Sequence, residues 1–235
     1  MLRDPRKSSL DQDPHFRWRG DSVTRIENLS DIVFALALSL LAVASAPPST
    51  FSQLVEIFRG GFAFAFAFSI LLLIWNYHYI FFRRYGLSDQ RTVFLNALLL
   101  FVVLLFIYPL RFLADFIFTL IPAFFSDFER VSMMVGGIGD GANLLIIYSF
   151  GYAAVFLIIA ALYGHAASKC GELELDKNEL RMTLRSRASA LVQASVALMV
   201  AALAAFTPVG PWAGPLYFLI GIGEFFVQRR YAKKA

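Results

Sequence analysis

Apolar and polar residues follow one another along this chain in long blocks. An uncharged run, Ile32 to Ala46, continues directly from a polar head holding Arg25, Glu27, Asn28, Ser30 and Asp31, and Pro47 and Pro48 end it. As a helix, Leu29 to Ala46 rises roughly 27 Å, close to the ~30 Å hydrocarbon thickness of a bilayer. The block predicts a membrane-spanning helix with charges packed against its entry.

Five further blocks follow the same rule. The second helix is expected from about Gly61 to Phe82, with Gln53 to Arg59 as an amphipathic lead-in and Gly86 as its breaker. The third runs from about Thr92 to Leu120 with Pro109 inside it, where a kink is expected. A loop carrying Pro122, Asp127, Glu129, Arg130 and the GGIGDG run at Gly136 to Gly141 leads to helix four, Asn143 to Ala167. Helix five is Ala188 to Phe206 and helix six Trp212 to Val227. The fold class is thus an all-α integral membrane protein with six transmembrane helices. Residues 1–23 read as a loosely ordered polar cytosolic tail, 24–229 as the transmembrane domain and 230–235 as a basic tail.

On a 3.6-residue wheel, Arg25, Leu29, Ile32, Leu36, Ser39 and Val43 share one stripe of the first helix, with Leu40 at its margin. Asp31 lies about 120° from Arg25, so the two face different neighbours. Large aliphatics with one hydroxyl suit a narrow pore if several copies meet around an axis. The same stripe suits an ordinary helix-packing face, and periodicity alone favours that reading over the pore.

Composition agrees with the blocks: 58% hydrophobic and only 16% charged residues leave too little polar surface for a soluble domain of 235 residues. The single cysteine, Cys170, excludes an internal disulfide. The charged first 23 residues lack the apolar core of a cleavable signal peptide. Of the 21 Lys and Arg, 18 fall on one side of the predicted spans, leaving Arg59, Arg111 and Arg130 on the other. The positive-inside rule then puts both termini in the cytosol, at the inner (plasma) membrane. The net charge of +4 is topological, and without an aromatic-interleaved basic patch it gives no ground for nucleic-acid binding.

Polar residues inside spans come next, because a central charge costs about 2.5 to 3.5 kcal/mol even on lenient insertion scales. Trp75 and His78, three apart, share a face near the cytosolic end of helix two. They lie at the depth of Arg25, Ser30 and Asp31. A histidine donating to a buried carboxylate, with the Trp75 indole N–H donating beside it, would satisfy these groups. As belt residues at the membrane interface the two aromatics would need no such partners.

These residues resemble a known family. Arg25-x-x-x-Leu29-Ser30-Asp31, followed at once by an apolar helix, is similar to the Arg-x-x-x-Phe-Ser-Asp signature of the transmembrane protein 175 family of potassium channels, and Trp75-x-x-His78 is similar to its Trp-x-x-His-His. The resemblance implies one six-helix repeat assembling as a homotetramer without a re-entrant pore loop, conducting potassium ions through a path lined by the first helices. Carried onto this chain, it makes Leu36 the tightest ring, with Ser39 and Leu40 one turn outward and Val43 beyond. Arg25, Ser30, Asp31, Trp75 and His78 would form the network that holds helix one. The chain departs from the pattern in having Leu29 for Phe, Tyr79 for the second His and Ser39 where Thr is common. A second copy of the short motif, Arg83-x-x-x-Leu87-Ser88-Asp89, spans Gly86 in a turn, where Ser88 is expected to cap helix three.

Other classes meet less support in the sequence. His78 and His165 could ligate haem, but both fall near one side and nothing tunes a site around them. A proton-coupled transporter using Asp31 and His78 is the stronger rival, with Asp115 and Glu224 also ionisable in or near spans. Asp115 follows Arg111 by one turn and is expected to pair with it. Glu224, near the inner interface, is expected to snorkel. There is no zinc-binding His-Glu-x-x-His, no Gly-x-Ser-x-Gly, no Walker lysine after GGIGDG and no Thr-Val-Gly-Tyr-Gly filter. No enzyme, cofactor or metal is expected, and lipid and permeating ions are the partners.

Overall fold

The protein is described from a computed structural model, covering residues 16–20, 22–43, 47–123, 134, 138–207 and 212–231. Its elements are α1 (Arg25–Val43), α2 (Phe51–Arg59), α3 (Gly61–Tyr85), α4 (Gln90–Ala123), α5 (Ile138–Ser168), α6 (Lys177–Phe206), a 3-10 turn η1 (Gly214–Phe218) and α7 (Leu219–Tyr231). All secondary structure among the described residues is helical. Among the described residues, five helices, α1, α3, α4, α5 and α6, are long and apolar enough to cross a membrane.

Local chemistry sets the breaks. Thr50 caps α2, its hydroxyl accepting from Gln53 N–H. Gly86 ends α3 in the left-handed conformation (φ 59°), its N–H returning to Phe82 O, and a side chain there would be strained and would press on the backbone of Arg19. Asp89, rather than the expected Ser88, precedes the first residue of α4 and accepts from the Thr92 hydroxyl. Its longer, carboxylate-tipped side chain reaches the first turn, leaving Ser88 exposed.

Three boundaries differ from the sequence reading. That reading starts helix five at Ala188, but α6 starts at Lys177, because Asp176 and Glu179 form a reciprocal capping box that nucleates polar turns before the apolar run. Gly139 to Gly141 of the GGIGDG run, expected as loop, belong to the first turn of α5, where Asp140 faces the positive end of the helix dipole. The block expected as helix six, Trp212 to Val227, comes as η1, with Pro215 at its start, followed by the 13-residue α7. The third block is one helix of 34 residues running through Pro109. The loop residues Asp127, Glu129 and Arg130 lie outside the described residues.

Helix α6 packs most extensively on α5, and Ala190, Ala194, Ala197, Ala201 and Ala204 along it are all buried. Small side chains at this spacing let two backbones approach, which supplies dispersion contact where lipid provides no hydrophobic drive. The α4–α5 contact is equally close, since a Cβ on Gly151 would stand 2.1 Å from the Phe106 ring. Helix α1 packs on α3 and α4 at the edge of this core.

Residues 16–20 are docked rather than loose. Arg19 and Gly20 donate their N–H groups to Arg83 O at 3.2 and 3.1 Å, and Arg83 Nη1 donates back to Gly20 O at 2.7 Å. Phe16 is buried edge-on to Tyr85, with the Arg84 guanidinium 4.6 Å from its ring centre. Arg19 forks onto Glu179 at 2.6 and 3.1 Å, tying the segment to the start of α6. Charge and proline suggest a solvated tail, but Phe16 and the planar Arg19 fork have matched partners in the fold.

Candidate functional site

Helix α1 has two unlike faces. Glu27, Ser30, Phe34, Ala37 and Leu41 are buried against α3 and α4. Arg25, Leu29, Ile32, Leu36, Ser39 and Val43, the stripe read from the wheel, are all exposed, and Leu40 is half-buried. Leu36 is 50% and Val43 76% exposed, so no described residue covers this face. The Ser39 hydroxyl donates to Ala35 O at 2.8 Å, which leaves its oxygen lone pairs to accept from, or face, whatever lies outside.

Three polar contacts hold α1 to its neighbours at one end. Trp75 Nε1 donates to Asp31 Oδ1 at 2.9 Å. Glu27 pairs with Arg83, both side chains nearly buried, while the same carboxylate accepts from Thr24 N–H at 2.9 Å as a helix cap. Asn96 of α4 is the third: its Oδ1 lies 2.9 Å from His78 Nε2, and its Nδ2 donates to Ser30 Oγ at 2.9 Å. Ser30 in turn donates to Ile26 O at 2.8 Å. His78, Asn96 and Ser30 are each 3% exposed or less, and the chain from α3 through α4 to α1 gives each of them a partner.

Of the five signature residues, the structure joins Asp31 to Trp75 and Ser30 to His78, the second pair only through Asn96. The expectation that His78 donates to a carboxylate is corrected: an amide takes that place, because Asp31 points to the exposed side and toward Trp75. Arg25 is exposed and makes no hydrogen bond or ion pair with a described residue; Arg83 is the arginine that grips α1. Tyr79, standing where the family has a second histidine, stacks on Trp75 at 5.4 Å and lies 5.9 Å beneath the Arg83 guanidinium. Sequence reasoning gives no functional role to Asn96, Glu27 or Arg83. Asn96 carries a signal all the same, being the lone amide between Thr92 and Arg111.

The other ionisable groups that the sequence places in or near the spans have local partners. Arg111 Nε donates to Asp115 Oδ2 at 2.9 Å, as the spacing predicts. Glu224 does not simply snorkel: it accepts from the Ser189 hydroxyl across the α6–α7 contact. His165 Nε2 lies 2.7 Å from Asp89 Oδ2, so the two histidines of the haem reading each have a separate partner. In the α3–α4 turn, burial would raise the Asp89 pKa, but the Thr92 hydrogen bond and His165 together hold it below the usual carboxylate value. No group of three metal-ligating side chains occurs among the described residues.

Fold and site together define an all-helical, multi-pass membrane protein whose first helix is anchored at one end and bare along one apolar stripe. Residues 25–106, which hold all of these anchors, match the family described as endosomal/lysosomal potassium channel TMEM175. A curated relative from Marivirga tractuosa, named potassium channel, is 37% identical over 213 residues, 88% of this chain and 86% of that protein. The chain belongs to the TMEM175 family. A crystal structure of a variant of the potassium channel MtTMEM175, in complex with a nanobody–MBP fusion protein, is 35% identical and superposes with a TM-score of 0.85 over 94% of this chain and 98% of that one. A structure of the lysosomal potassium-selective channel TMEM175 homologue from Chamaesiphon minutus, at 21% identity and a TM-score of 0.54 over 89% and 97% of the two chains, shares the fold.

Proposed function

We propose that this chain is a potassium-preferring cation channel of the cell inner membrane, assembled as a homotetramer around the α1 helices. The observation that carries the reading is the bare stripe of α1, apolar and in register from Leu29 to Val43, on a helix whose opposite face is fixed to α3 and α4. Four copies meeting on that stripe bury it and enclose a path. Leu36 forms the constriction, and Ser39, Leu40 and Val43 line the wider part. A ring of leucines dewets a narrow pore, so closure needs no charged plug, and a small rotation or widening of α1 lets ions pass. The Ser39 oxygens then face a partly dehydrated cation.

The layout that goes with this reading has residues 1–23 and 230–235 as cytosolic flanks of a transmembrane domain over 24–229. Helix α7 with η1 makes the sixth span, and the arginine-rich ends lie in the cytosol. The names of the relatives support the ion, and the separate hydrogen-bond partners of Asp31 and His78, Trp75 and Asn96, weigh against a proton-coupled transporter built on that pair.

The test is ion flux from liposomes holding the purified chain, under potassium and sodium gradients, with Leu36→Ala beside the wild type. Potassium flux in the wild type, raised or made less selective by L36A, is the expected result. Wild-type flux left unchanged by L36A removes Leu36 as the constriction. No flux from folded, oligomeric protein overturns the channel reading.

A further inference from the structure

No residue of the nine in α2 is buried, although Phe51, Leu54, Val55, Ile57 and Phe58 are large and apolar. At about 100° per residue these five fill one side of the helix, and Ser52, Gln53, Glu56 and Arg59 fill the other. Phe51 is 79% and Phe58 75% exposed, so no described residue covers the apolar side. Exposed phenylalanines continue past Gly60 into α3, at Phe62 and Phe66.

Chain connectivity fixes where this face lies. Glu27, near the start of α1, pairs with Arg83, near the end of α3, so the two spans run antiparallel and α1 ends on the side of the membrane where α3 begins. Only residues 44–50 and Gly60 separate α2 from those two ends, which holds it at the level where acyl chains give way to headgroups. Alone in water α2 would be unstable, being shorter than the roughly 12–15 residues at which an isolated helix becomes even marginal. The nearest apolar medium is the leaflet away from Arg83 and Arg84. Glu56 and Arg59 are the only charged residues of α2 and leave it without net charge, so burial of the apolar side, rather than attraction to anionic headgroups, has to hold it there.

We propose that α2 is a membrane-surface anchor, its apolar side seated among the first acyl carbons of that leaflet and its polar side turned to water. The partner is a lipid surface, and zwitterionic lipid is sufficient. Helix α1 is then held at both ends, by Asp31, Glu27 and Ser30 against the protein at one and through α2 by lipid at the other. The anchor needs no permeating ion, so it stands or falls independently of conduction.

Power-saturation electron paramagnetic resonance of the full chain in phosphatidylcholine liposomes tests it. C170S removes the native thiol, and F58C, L54C or S52C then carries a single nitroxide. Phe58 and Leu54 lie on the apolar side, and Ser52 is about 120° or more away from each round the helix. The ratio of collisions with oxygen, which concentrates among acyl chains, to collisions with a water-soluble nickel chelate is expected to be several-fold higher at 58 and 54 than at 52. Added phosphatidylglycerol is expected to leave that ratio unchanged. L54C answers the question where F58C disturbs the fold. Equal ratios at all three positions put the apolar side in water and overturn the proposal. So do few collisions with either reagent at 58 and 54, which would mean that a neighbouring copy or another part of the chain covers the face. A raised ratio that appears only with phosphatidylglycerol overturns it too, since the helix would then be held by charge.

Discussion

The indole Nε1 of Trp75 donates to Asp31 Oδ1 at 2.9 Å, joining α3 to α1 across 44 residues of sequence. Asp31 is exposed and Trp75 only half-buried, so this bond sits at the rim of the α1–α3 contact, where a change of partner is cheap for the fold and direct for the position of α1. Trp75→Phe keeps the ring over Tyr79 and removes the donor. The expected loss is about 1 kcal/mol, or a fall of roughly 2–4 °C in unfolding midpoint for a chain of this size. Thermal unfolding in detergent measures it, and an unchanged midpoint would show that the bond contributes nothing to stability.

Asn96 is a different case, because it is buried. Asn96→Leu removes the partner of His78 Nε2 and leaves that nitrogen without a hydrogen bond in an apolar setting, while Ser30 keeps Ile26 O. A cost of about 1–3 kcal/mol is expected. Unfolding midpoints of N96L and W75F side by side check the order, with N96L the less stable.

The Glu27–Arg83 pair carries the largest expected penalty at this end of α1. Its side chains are 7% and 11% exposed, and Glu27→Gln leaves a buried guanidinium uncompensated, for an expected cost of about 3 kcal/mol. Adding Arg83→Gln is expected to cost less than the sum of the two single changes, since the orphaned charge disappears. A double-mutant cycle on unfolding free energy reads the coupling; strict additivity would mean that the pair does not interact.

Acid stability has a defined direction at the α3–α4 turn. Asp89 has a folded-state pKa below its ordinary value of 3.8, so its contribution is present above that value and is lost as pH falls through the lower folded value. Thr92→Val removes a hydrogen bond to the charged form, and the variant is expected to lose less stability than the wild type between neutral pH and pH values below that ordinary pKa. Unfolding midpoints across that range check it, and parallel profiles for the two proteins would exclude Asp89 as the source.

Much of this is legible in the chain. The blocks from Ile32 to Ala46 and from Gly61 to Phe82 predict spans within a few residues of α1 and α3, because bilayer thickness fixes how long an apolar helix must be. The residues around Arg25, Asp31, Trp75 and His78 carry the family resemblance, which the matches over residues 25–106 and over most of the chain support. The start of α6 escapes a reading by apolarity because its first turns are polar, and a capping box determines where that helix begins.

By itself, then, the sequence determined which segments are apolar enough to enter a membrane and which stripe of α1 is continuous, since both follow from composition and the 3.6-residue period. Partnership was decided only by the tertiary structure. His78 meets Asn96 and not a carboxylate, Arg83 rather than Arg25 grips Glu27, and Arg19 docks an N-terminal segment onto Glu179. Each of these depends on how far one helix is rotated and slid against another, and that is set by packed side chains such as Phe106 against Gly151, which no single-helix pattern encodes.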